Sequence, residues 1–357
     1  MKKIIHIIDS LQIGGAEKLL CNTIAELTGF EHLVVTLFPG KDKALLPANA
    51  KYICLDAKKI TAIPSKRKLY KKIVKEYKPD IIHSHLYFAT VFAKWLTPSS
   101  VPLIFTQHFE FSKNAEKWYY RFVDRLVSKP AHYCIAVSNV VLQDYLQATS
   151  FKGTTCIINN YIPEKYFNGI QKEMPEEKKL KLVSLGNIKT IKNQQYILDA
   201  FEFLKDLNVT CDVYGEGFQR LELDKQAKDH HLHVFFKGEI TDSSMVLKHY
   251  DLYFMPSLTE GFPLALFEAM ASGLPVVVSD IPAFHELLGE ECNFVSLSDP
   301  SSLRSVIKKY LSNPYLLKKD GEKMHQMASE KANKEVYLGK LINLYKQVTG
   351  SSIVSSV

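Results

Sequence analysis

Short apolar runs alternate with amphipathic stretches along this chain, and this alternation restricts its fold more than any other feature. In the first half, runs rich in Ile, Leu and Val predict strands at 4–8, 33–37, 81–83, 103–106 and 134–137. Apolar residues at helical spacing follow the turn at Gly14 and Gly15. Because strands and helices alternate strictly, the sequence predicts parallel βαβ units and an α/β protein with a doubly wound sheet.

The alternation stops near residue 160 and then begins again. Turn-forming and charged residues dominate 160–178, and new strands are predicted at 180–185, 210–214, 233–236, 252–255 and 276–279. The length of 357 residues suits two α/β domains of about 150 to 200 residues each. We therefore predict two Rossmann-like domains, over 1–165 and 175–330. Ligands of such sheets bind outside the carboxyl ends of the strands, so two facing domains would form a binding cleft.

Membrane-spanning and disulfide-rich classes are disfavoured. The basic start Met1-Lys2-Lys3 imitates a signal peptide, but the apolar run after it is only about five residues long and a glycine-rich turn follows, which favours a buried strand. The chain has no run of 18 apolar residues, so no transmembrane helix is expected. Its six cysteines are scattered and none forms a C-x-x-C pair, which is typical of reduced core cysteines in a cytoplasmic protein.

Positive charge is concentrated in the first half. Residues 1–175 contain 24 Lys and Arg against 14 Asp and Glu. Such a surface suits nucleic acid, anionic lipid or an anionic substrate, and composition alone does not choose among them. Two amphipathic stretches, 65–77 with Leu69, Ile73 and Tyr77, and 118–122 with its aromatic residues, suit an anionic membrane surface. Solvated helices with apolar sides in the core explain them equally well.

Three loop regions at predicted strand ends, the third of them made of two separate loops, suit an anionic ligand that is rich in hydroxyl groups. Gly14 and Gly15 allow close backbone approach at a helix start, although a tight turn without ligand has the same pattern. Residues 184–193 place Lys189 and Lys192 beyond a strand end, where they could neutralise a diphosphate or simply be solvated. Glycine-containing loops at 214–217, which includes Gly215, and at 237–240 suit a planar base but also resemble ordinary turns.

The fourth loop, at 256–275, carries the strongest signal. A buried strand ends there in a Gly/Pro loop, and a helix is predicted to begin near Leu264 and to end at Gly273. Glu260 lies in the loop and Glu268 lies one turn into the helix. The loop amides, from Phe262 to Leu264, can bind phosphate, and the carboxylates can accept hydrogen bonds from sugar hydroxyls. A capping acid and a solvated glutamate would explain either residue, but not the pair around so apolar a stretch.

The segment E-G-F-P-L-A-L-F-E-A-M-A-S-G-L-P-V-V-V-S-D resembles the Glu-x7-Glu signature of the retaining GT-B-fold glycosyltransferases of family 4. The resemblance covers nearly the whole chain. It includes G-G-A-E, D-I-I-H-S-H, T-Q-H, A-V-S and I-I-N-N-Y-I in the first half, and G-N-I-K-T-I-K-N, Y-G-E-G and F-K-G-E-I in the second. It also implies that a helix at about 335–350 packs back onto the first domain.

This resemblance implies a hexosyltransferase that takes its sugar from a UDP- or GDP-sugar and builds a glycan or lipid-linked glycan, with no nucleic-acid partner. His108 would lie beside the transferred sugar, Lys192 would pair with the diphosphate, and Glu260 would bind the donor sugar. Donor-binding positions are then Gly14, Gly15, Asn187, Lys189, Gly215, Ile240, Gly261, Phe262, Pro263, Leu264 and Glu268. Among these, Ile240 would meet the base through its backbone and Glu268 would bind the ribose. His83 and His85 also lie at a strand end, where buried structural histidines are at least as common.

One position departs from the family pattern. Family members usually have Arg directly after the glycine of the first strand in the second domain, and here that residue is Asn187. Lys189, two residues further on, is predicted to supply the missing positive charge.

The sequence contains no Asp-x-Asp, the pair with which metal-dependent transferases hold a divalent ion. We therefore expect no metal and no cofactor, with Lys192, helix N-termini and backbone amides stabilising the leaving diphosphate. A nucleotide-sugar epimerase and a non-catalytic nucleotide-sugar-binding protein stay open as alternatives. A dinucleotide-dependent oxidoreductase is disfavoured, because Gly14 and Gly15 do not belong to a complete G-x-G-x-x-G pattern.

Overall fold

The computed structural model describes residues 1–12, 14–40, 46–114, 118–129, 131–168 and 179–350. The chain divides into two compact units. Unit 1 consists of residues 1–160 and the chain from Glu335 onward, and unit 2 of Tyr161–Lys334. Unit 1 thus ends at Asn160 where the sequence predicted 165, and most of the predicted linker, 169–178, lies outside the described residues.

Unit 1 alternates strands and helices, as the sequence predicted. Its elements, in chain order, are β1 (Lys2–Ile8), α1 (Gly15–Glu26), β2 (Phe30–Thr36), β3 (Ala50–Cys54), α2 (Arg67–Tyr77), β4 (Ile81–His85), α3 (Tyr87–Leu96), β5 (Leu103–Gln107), α4 (Phe111–Asn114), α5 (Trp118–Val127), β6 (Tyr133–Ala136), α6 (Asn139–Thr149) and β7 (Thr154–Ile157). A 3-10 helix at Ile60–Lys66 precedes α2.

Unit 2 repeats this pattern. Its elements are β8 (Leu180–Leu185), α7 (Gln194–Glu202), β9 (Val209–Tyr214), α8 (Arg220–Asp229), β10 (Val234–Gly238), α9 (Ser244–Leu247), β11 (Leu252–Met255), α10 (Leu264–Ala271), β12 (Val276–Ser279), α11 (Pro282–Leu288), β13 (Asn293–Val295), α12 (Ser302–Ser312) and α13 (Tyr315–Lys331). Short 3-10 helices occur at Glu164–Tyr166, Thr190–Lys192 and Gly289–Glu291. The last helix, α14, spans Lys334–Val348.

Both sheets have the strand order of a doubly wound fold. The seven strands of unit 1 lie in the order β3-β2-β1-β4-β5-β6-β7, and the six of unit 2 in the order β10-β9-β8-β11-β12-β13. Every neighbouring pair is parallel. The order reverses direction between β1 and β4 and again between β8 and β11, which are the positions where open α/β sheets bind ligands. The predicted α/β, doubly wound fold is confirmed for each unit.

Apolar side chains from both sheet faces form the cores. In unit 2 one cluster joins β8, β9 and β11 to helices α7, α8 and α12. In unit 1 the C-terminal helix α14 places Leu341, Leu344 and Tyr345 in a cluster with Ile4 and Ile81 of the central strands. The C-terminal helix therefore packs on the first sheet.

The helix α2 decides between the two interpretations of its apolar residues. Ile73 and Val74 are buried in the core of unit 1 and Tyr77 packs against the same cluster, whereas Leu69 is exposed. The apolar side of α2 is therefore a core surface. All six cysteines are free, and Cys21, Cys134 and Cys211 are buried. None of the described helices is long and apolar enough to cross a membrane.

Candidate active site

The loops that follow β8 and β11 meet at the switch point of unit 2. The amide of Leu258, after β11, donates a hydrogen bond of 2.9 Å to the carbonyl of Ile191, after β8. The side-chain amide of Asn193 donates to the carbonyl of Pro256 at 3.2 Å. These bonds join the two loops into one surface, and this surface carries most of the predicted site residues.

The loop after β8 is shaped by residues with positive φ. Gly186 has φ +148° and Asn193 has φ +54°, so the chain turns sharply before α7 begins. The side chain of Gln194 donates to the carbonyl of Asn187 at 3.2 Å and fixes the middle of the loop. Lys189, by contrast, is exposed and adopts an extended backbone conformation. Its predicted role in binding a diphosphate stays a prediction.

Lys192 and Glu260 form the central contact of this surface. The Nζ of Lys192 lies 2.6 Å from Oε1 of Glu260, whose side chain is only 1% exposed, whereas the lysine is 22% exposed. A carboxylate so deeply buried needs a charged or hydrogen-bonding partner, because burying an isolated charge is costly. The contact gives the buried Glu260 a cationic partner at the switch point and leaves part of the lysine open to solvent.

The helix α10 begins at Leu264, as the sequence predicted. Its first backbone hydrogen bond runs from Phe267 to the carbonyl of Pro263 at 3.3 Å, so the amides of the preceding turn have no partner within the helix. Gly261, Phe262 and Pro263 are buried, and the rings of Phe262 and Phe267 stack at 4.2 Å. Pro263 has no N–H and cannot donate a hydrogen bond, so the predicted set of amides from Phe262 to Leu264 is wrong at this position. The amides available to an anion are those of the first turn of α10.

Glu268 is held by two residues that the sequence analysis missed. Ser243 donates a hydrogen bond of 2.6 Å to its Oε2, and the hydroxyl of Tyr166 lies 2.9 Å from that of Ser243. Burial, followed by the nearby Glu268 carboxylate, raises the pKa of Tyr166. Ser243 stands in the polar run T-D-S-S, which is the signal that could have revealed it. The carboxylate of Glu268 is thus oriented by a hydroxyl pair.

Tyr253 of β11 lies near both carboxylates. Its hydroxyl donates to the carbonyl of Leu185 at 3.3 Å. Burial raises its pKa well above the ordinary value, and the charges of Glu260 and Glu268 add to that effect. The two glutamates of the Glu-x7-Glu segment therefore lie in one electrostatic environment.

Two glycines permit close packing of the loops after β8 and β9. A Cβ on Gly215, which has φ +147°, would collide with the carbonyl of Gly186, and one on Gly217 would collide with the carbonyl of Ile188. Ile240 follows β10 and is half-buried. These glycines bring neighbouring loops together, and the predicted approach of a planar base to Gly215 stays a prediction.

Gly14, Gly15 and His108 belong to unit 1. Gly14 directly precedes α1 in an extended conformation, and Gly15 is the first residue of that helix. His108 follows β5, is 8% exposed, and its Nε2 lies 3.3 Å from Nδ1 of His85. Burial lowers the pKa of His108 to about 4, so its imidazole is neutral at physiological pH. The other predicted site residues belong to unit 2.

His83 and His85 are buried, 2% and 6% exposed. Burial and the neighbouring histidines lower the pKa of both well below the ordinary value. They lie beside His6 of β1, which is 1% exposed. The interpretation of His83 and His85 as buried histidines is consistent with this packing.

Known proteins resemble this chain over most of its length. It matches the family described as Glycosyltransferase Family 4 over residues 13–164 and that described as Glycosyl transferases group 1 over 167–335. It is 25% identical to the capsular polysaccharide biosynthesis glycosyltransferase CapH of Staphylococcus aureus over 96% of this chain and all of CapH. It is 28% identical to the O-antigen chain mannosyltransferase RfbU of Salmonella typhimurium, covering 59% of this chain and 62% of RfbU.

The fold likewise has a known counterpart. The structure of Anabaena HepE in complex with UDP-glucose superimposes with a TM-score of 0.83 at 19% identity, over 99% of this chain and all of HepE. The two family matches together leave only short segments of the chain uncovered, and each unit has the doubly wound sheet of this architecture. The chain therefore belongs to the family-4 glycosyltransferases with the GT-B fold.

Proposed function

We propose that this protein is a retaining, metal-independent hexosyltransferase of cell-surface polysaccharide biosynthesis. Its donor is a UDP- or GDP-sugar, and its acceptor is a glycan or a lipid-linked glycan. The observation that carries this proposal is the Lys192–Glu260 pair at the β8/β11 switch point, 2.6 Å long and next to the start of α10. It combines a cation for a diphosphate with a carboxylate for sugar hydroxyls in one place.

The leaving diphosphate sets the main chemical requirement of such a reaction. Negative charge develops on it as the glycosidic bond breaks, and placed donors that stabilise this charge usually contribute most to catalysis. Here the ammonium of Lys192 and the first-turn amides of α10 would supply that stabilisation. Asn187 and Lys189 extend the same loop and would contribute to donor binding.

The two glutamates would bind different parts of the donor. Glu260, buried and in contact with Lys192, would accept hydrogen bonds from hydroxyls of the donor sugar. Glu268, oriented by Ser243, would accept those of the ribose. The base would then lie near the loop after β10, where the backbone of Ile240 offers hydrogen-bonding groups. We propose retention by front-face attack, with the departing phosphate accepting the acceptor proton, as the resemblance to family 4 implies.

The names of the relatives support a role in polysaccharide synthesis with a nucleotide-sugar donor. CapH and RfbU are named for capsule and O-antigen synthesis, and HepE has been solved with UDP-glucose. A donor panel tests the proposal. Purified protein is incubated with UDP- and GDP-hexoses with and without glycan acceptors, and release of nucleoside diphosphate is measured with and without EDTA. We expect acceptor-dependent release that EDTA does not change, and NMR of the product should show the donor's anomeric configuration.

Other outcomes would contradict this function in recognisable ways. Donor conversion without an acceptor would indicate an epimerase, and tight donor binding without turnover of any acceptor would indicate a binding protein. Release that requires a divalent ion would contradict the metal-independent mechanism. The variant Glu260→Gln is the matched control, because it keeps the size of the side chain and removes the charge that Lys192 contacts.

We further propose that α5 attaches the protein to an anionic membrane surface, where a lipid-linked acceptor would be available. Trp118, Phe122 and Leu126 recur at four-residue spacing and are 74%, 58% and 72% exposed. Arg121 and Arg125 lie on the same helix and add positive charge. An exposed apolar row with adjacent cations is typical of helices that lie in a membrane interface.

Liposome flotation tests this attachment. We expect recovery with anionic vesicles at low salt to exceed recovery with neutral vesicles, and the double variant Trp118→Ser/Phe122→Ser to lose the difference. The control is Phe218→Ser/Leu221→Ser in unit 2, which removes two side chains that are each 79% exposed. Equal recovery with both vesicle types would reject the proposal.

A further inference from the structure

Three histidines of unit 1 share one face of the sheet beside its switch point. His6 of β1 is the register partner of His83 of β4, and His85 lies two residues further along β4 on the same face. One ring nitrogen of each lies within 4.8 Å of those of the other two. We propose that His6, His83 and His85 form a binding site for a single transition-metal ion of the Zn²⁺ type, in addition to the donor site of unit 2.

The hydrogen bonds around His6 leave one of its ring nitrogens unprotonated and without a hydrogen-bond partner among the described residues. The carbonyl of Leu27 can only accept, so Nε2 of His32 donates to it at 2.8 Å. The Nδ1 of the neutral His32 must then accept, and Nε2 of His6 donates to it at 3.0 Å. This leaves Nδ1 of His6 unprotonated, buried and without a partner among the described residues. Metal-binding histidines usually donate their other N–H in this way.

His85 offers a second unpartnered nitrogen. Its Nε2 is buried and has no hydrogen-bond partner among the described residues, while its Nδ1 faces His108. His83 completes the set, although its nitrogens lie 2.7 Å from the hydroxyl of Tyr345 and 2.8 Å from that of Thr106. Metal binding would therefore replace one hydroxyl contact of His83, whereas His6 and His85 would give up none.

The space between these residues fits one ion. The cavity that the three histidines line has a volume of about 10 Å³, close to the least that holds one water molecule. Its lining includes Thr106 and the tyrosines 337 and 345 but no carboxylate. Imidazole ligands without carboxylates favour Zn²⁺, Cu²⁺ or Ni²⁺ over Mg²⁺ or Ca²⁺, and three histidines form a known zinc environment.

Occupation of this site would also determine the tautomer of His108. When Nε2 of a neutral His85 binds a metal ion, its proton resides on Nδ1, which then donates to Nε2 of His108 across 3.3 Å. The proton of His108 is consequently on Nδ1. The metal site and the histidine of the T-Q-H segment are thus linked through one hydrogen bond.

Zinc titration of the chelator-stripped protein tests the site. Competition with a chromophoric zinc chelator measures stoichiometry and affinity in the His285→Gln background. This background removes the half-buried His285, which contacts Asp280 at 2.7 Å and Glu290 at 3.1 Å and would otherwise compete for zinc. We expect one equivalent of Zn²⁺ to bind. His6→Gln and His85→Gln should each weaken binding at least tenfold, whereas His249→Gln, at an exposed position, should not.

A spectroscopic measurement on the unmutated site guards against variants that fail to fold. Co²⁺ bound by three imidazoles and one solvent molecule should absorb strongly in the visible range, and one equivalent of Zn²⁺ should abolish that absorption. The proposal is overturned if the His285→Gln protein binds no stoichiometric Zn²⁺, if both histidine variants bind as tightly as their parent, or if the Co²⁺ spectrum is that of an octahedral aqua ion. The cavity would then be a water site.

Discussion

Two lysine–carboxylate pairs, one in each unit, have nearly the same length and very different surroundings. In unit 1 Lys94 lies 2.7 Å from Asp124, with 0% and 1% of the side chains exposed. In unit 2 Lys192 lies 2.6 Å from Glu260, with 22% and 1% exposed. The distances alone would assign the same role to both pairs. The exposed fraction of each lysine side chain distinguishes them.

The Lys94 pair is closed by further contacts. The hydroxyl of Tyr145 lies 2.7 Å from Lys94 and 2.9 Å from Asp124. Ser128 contacts both partners, and the ring of Phe105 lies 3.9 Å from the ammonium. Burial lowers the pKa of Lys94, and the adjacent Asp124 opposes that effect. Since the side chain of Lys94 is 0% exposed, a ligand cannot reach this ammonium, and the pair belongs to the interior of unit 1.

The Lys192 pair keeps one side of its cation exposed. Its carboxylate is as deeply buried as that of Asp124, but the lysine lies on a loop at a switch point. The comparison shows that a buried acid needs a partner in either case, whereas a ligand needs a cation that it can reach. We therefore expect changes at the first pair to reduce stability and changes at the second to reduce donor binding and transfer.

The largest expected effect is the loss of stability in Lys94→Met. The variant leaves Asp124 buried without its cation, and breaking such a pair typically costs about 3–5 kcal/mol in the free energy of unfolding. Urea unfolding, followed by fluorescence, measures this change. The double variant Lys94→Met/Asp124→Leu should recover much of the loss, because it removes the unpaired charge. A loss below about 1 kcal/mol in Lys94→Met would contradict the comparison.

Glu260→Ala should have the largest effect on activity. Removing one placed polar group from a site typically lowers turnover by about 10²-fold or more. Sugar transfer is measured by release of nucleoside diphosphate, and urea unfolding shows whether the variant is folded. Near wild-type turnover in a folded variant would disprove the assignment of Glu260 to the donor sugar.

The central strands of both sheets could be predicted from the sequence, and three edge strands could not. β1, β4, β8 and β11 are almost wholly buried, so they appear as continuous apolar runs. β3, β7 and β13 lie at sheet edges and are mostly half-buried or exposed. Their mixed composition resembles that of loops, and only pairing with a neighbouring strand determines their conformation.

The candidate site likewise contains residues that the sequence indicates and residues that only the structure reveals. Glu260, Glu268 and Lys192 could be named as candidates because they stand in one contiguous motif or in the loop that follows a strand. Ser243 offered only its polar run T-D-S-S as a signal, 25 residues from Glu268. Tyr166 could not be predicted, since it acts through Ser243, which lies 77 residues away in the chain. The sequence left the apolar stripe of α2 open between a protein core and a membrane surface, because such a stripe suits both equally well.

The two lysines of the loop after β8 provide a finer test within unit 2. Lys192 pairs with Glu260, and Lys189 is exposed three residues earlier. If Lys189 replaces the arginine that the family usually has at 187, Lys189→Ala should weaken binding of the nucleoside diphosphate by about 1.5–3 kcal/mol, as for a charge-assisted hydrogen bond. Asn187→Ala should cost less, because a neutral amide makes weaker bonds.

Calorimetry with UDP and GDP separates the contributions of the two lysines. Unchanged affinity in Lys189→Ala together with a clear loss in Lys192→Ala would show that Lys189 is a surface residue. The switch-point pair would then provide the positive charge without its neighbour.

The pH dependence of the stability of unit 1 tests the surroundings of the Lys94–Asp124 pair, because the charge of Lys94 affects His132. Burial, with a contribution from the charge of Lys94, lowers the pKa of His132 from 6.5 to about 4. As the pH falls, the unfolded chain therefore binds a proton at His132 at a higher pH than the folded chain does. The contribution of neutral His132 to the free energy of unfolding is present above pH 6.5 and is lost as the pH falls towards 4. Allowing for solvent screening, the share of His132 in this loss should be about 1–2 kcal/mol at pH 5, in addition to that of the other buried histidines of unit 1.

The variant His132→Gln should reduce this dependence. Urea unfolding at pH 7 and pH 5 provides the comparison, and both tryptophans, Trp95 and Trp118, report on unit 1. His249→Gln in unit 2 is the control that should leave the pH dependence unchanged. An equal decrease in stability for the wild type and His132→Gln would exclude His132 as its origin.

The smallest expected effect concerns the second carboxylate of unit 2, which a hydroxyl orients in place of a lysine. Ser243 donates to Glu268 at 2.6 Å, and such a bond to a charged group contributes about 1.5–3 kcal/mol at most, less where solvent can replace it. Because Glu268 is 9% exposed, we expect Ser243→Ala to raise the donor KM about three- to tenfold with little change in kcat. Glu268→Ala should raise it further, and Ser243→Thr, which keeps the hydroxyl, should remain near the wild type. A fall in kcat at constant KM in Ser243→Ala would instead place Glu268 at the reacting bond, and the distinction between the two glutamates would fail.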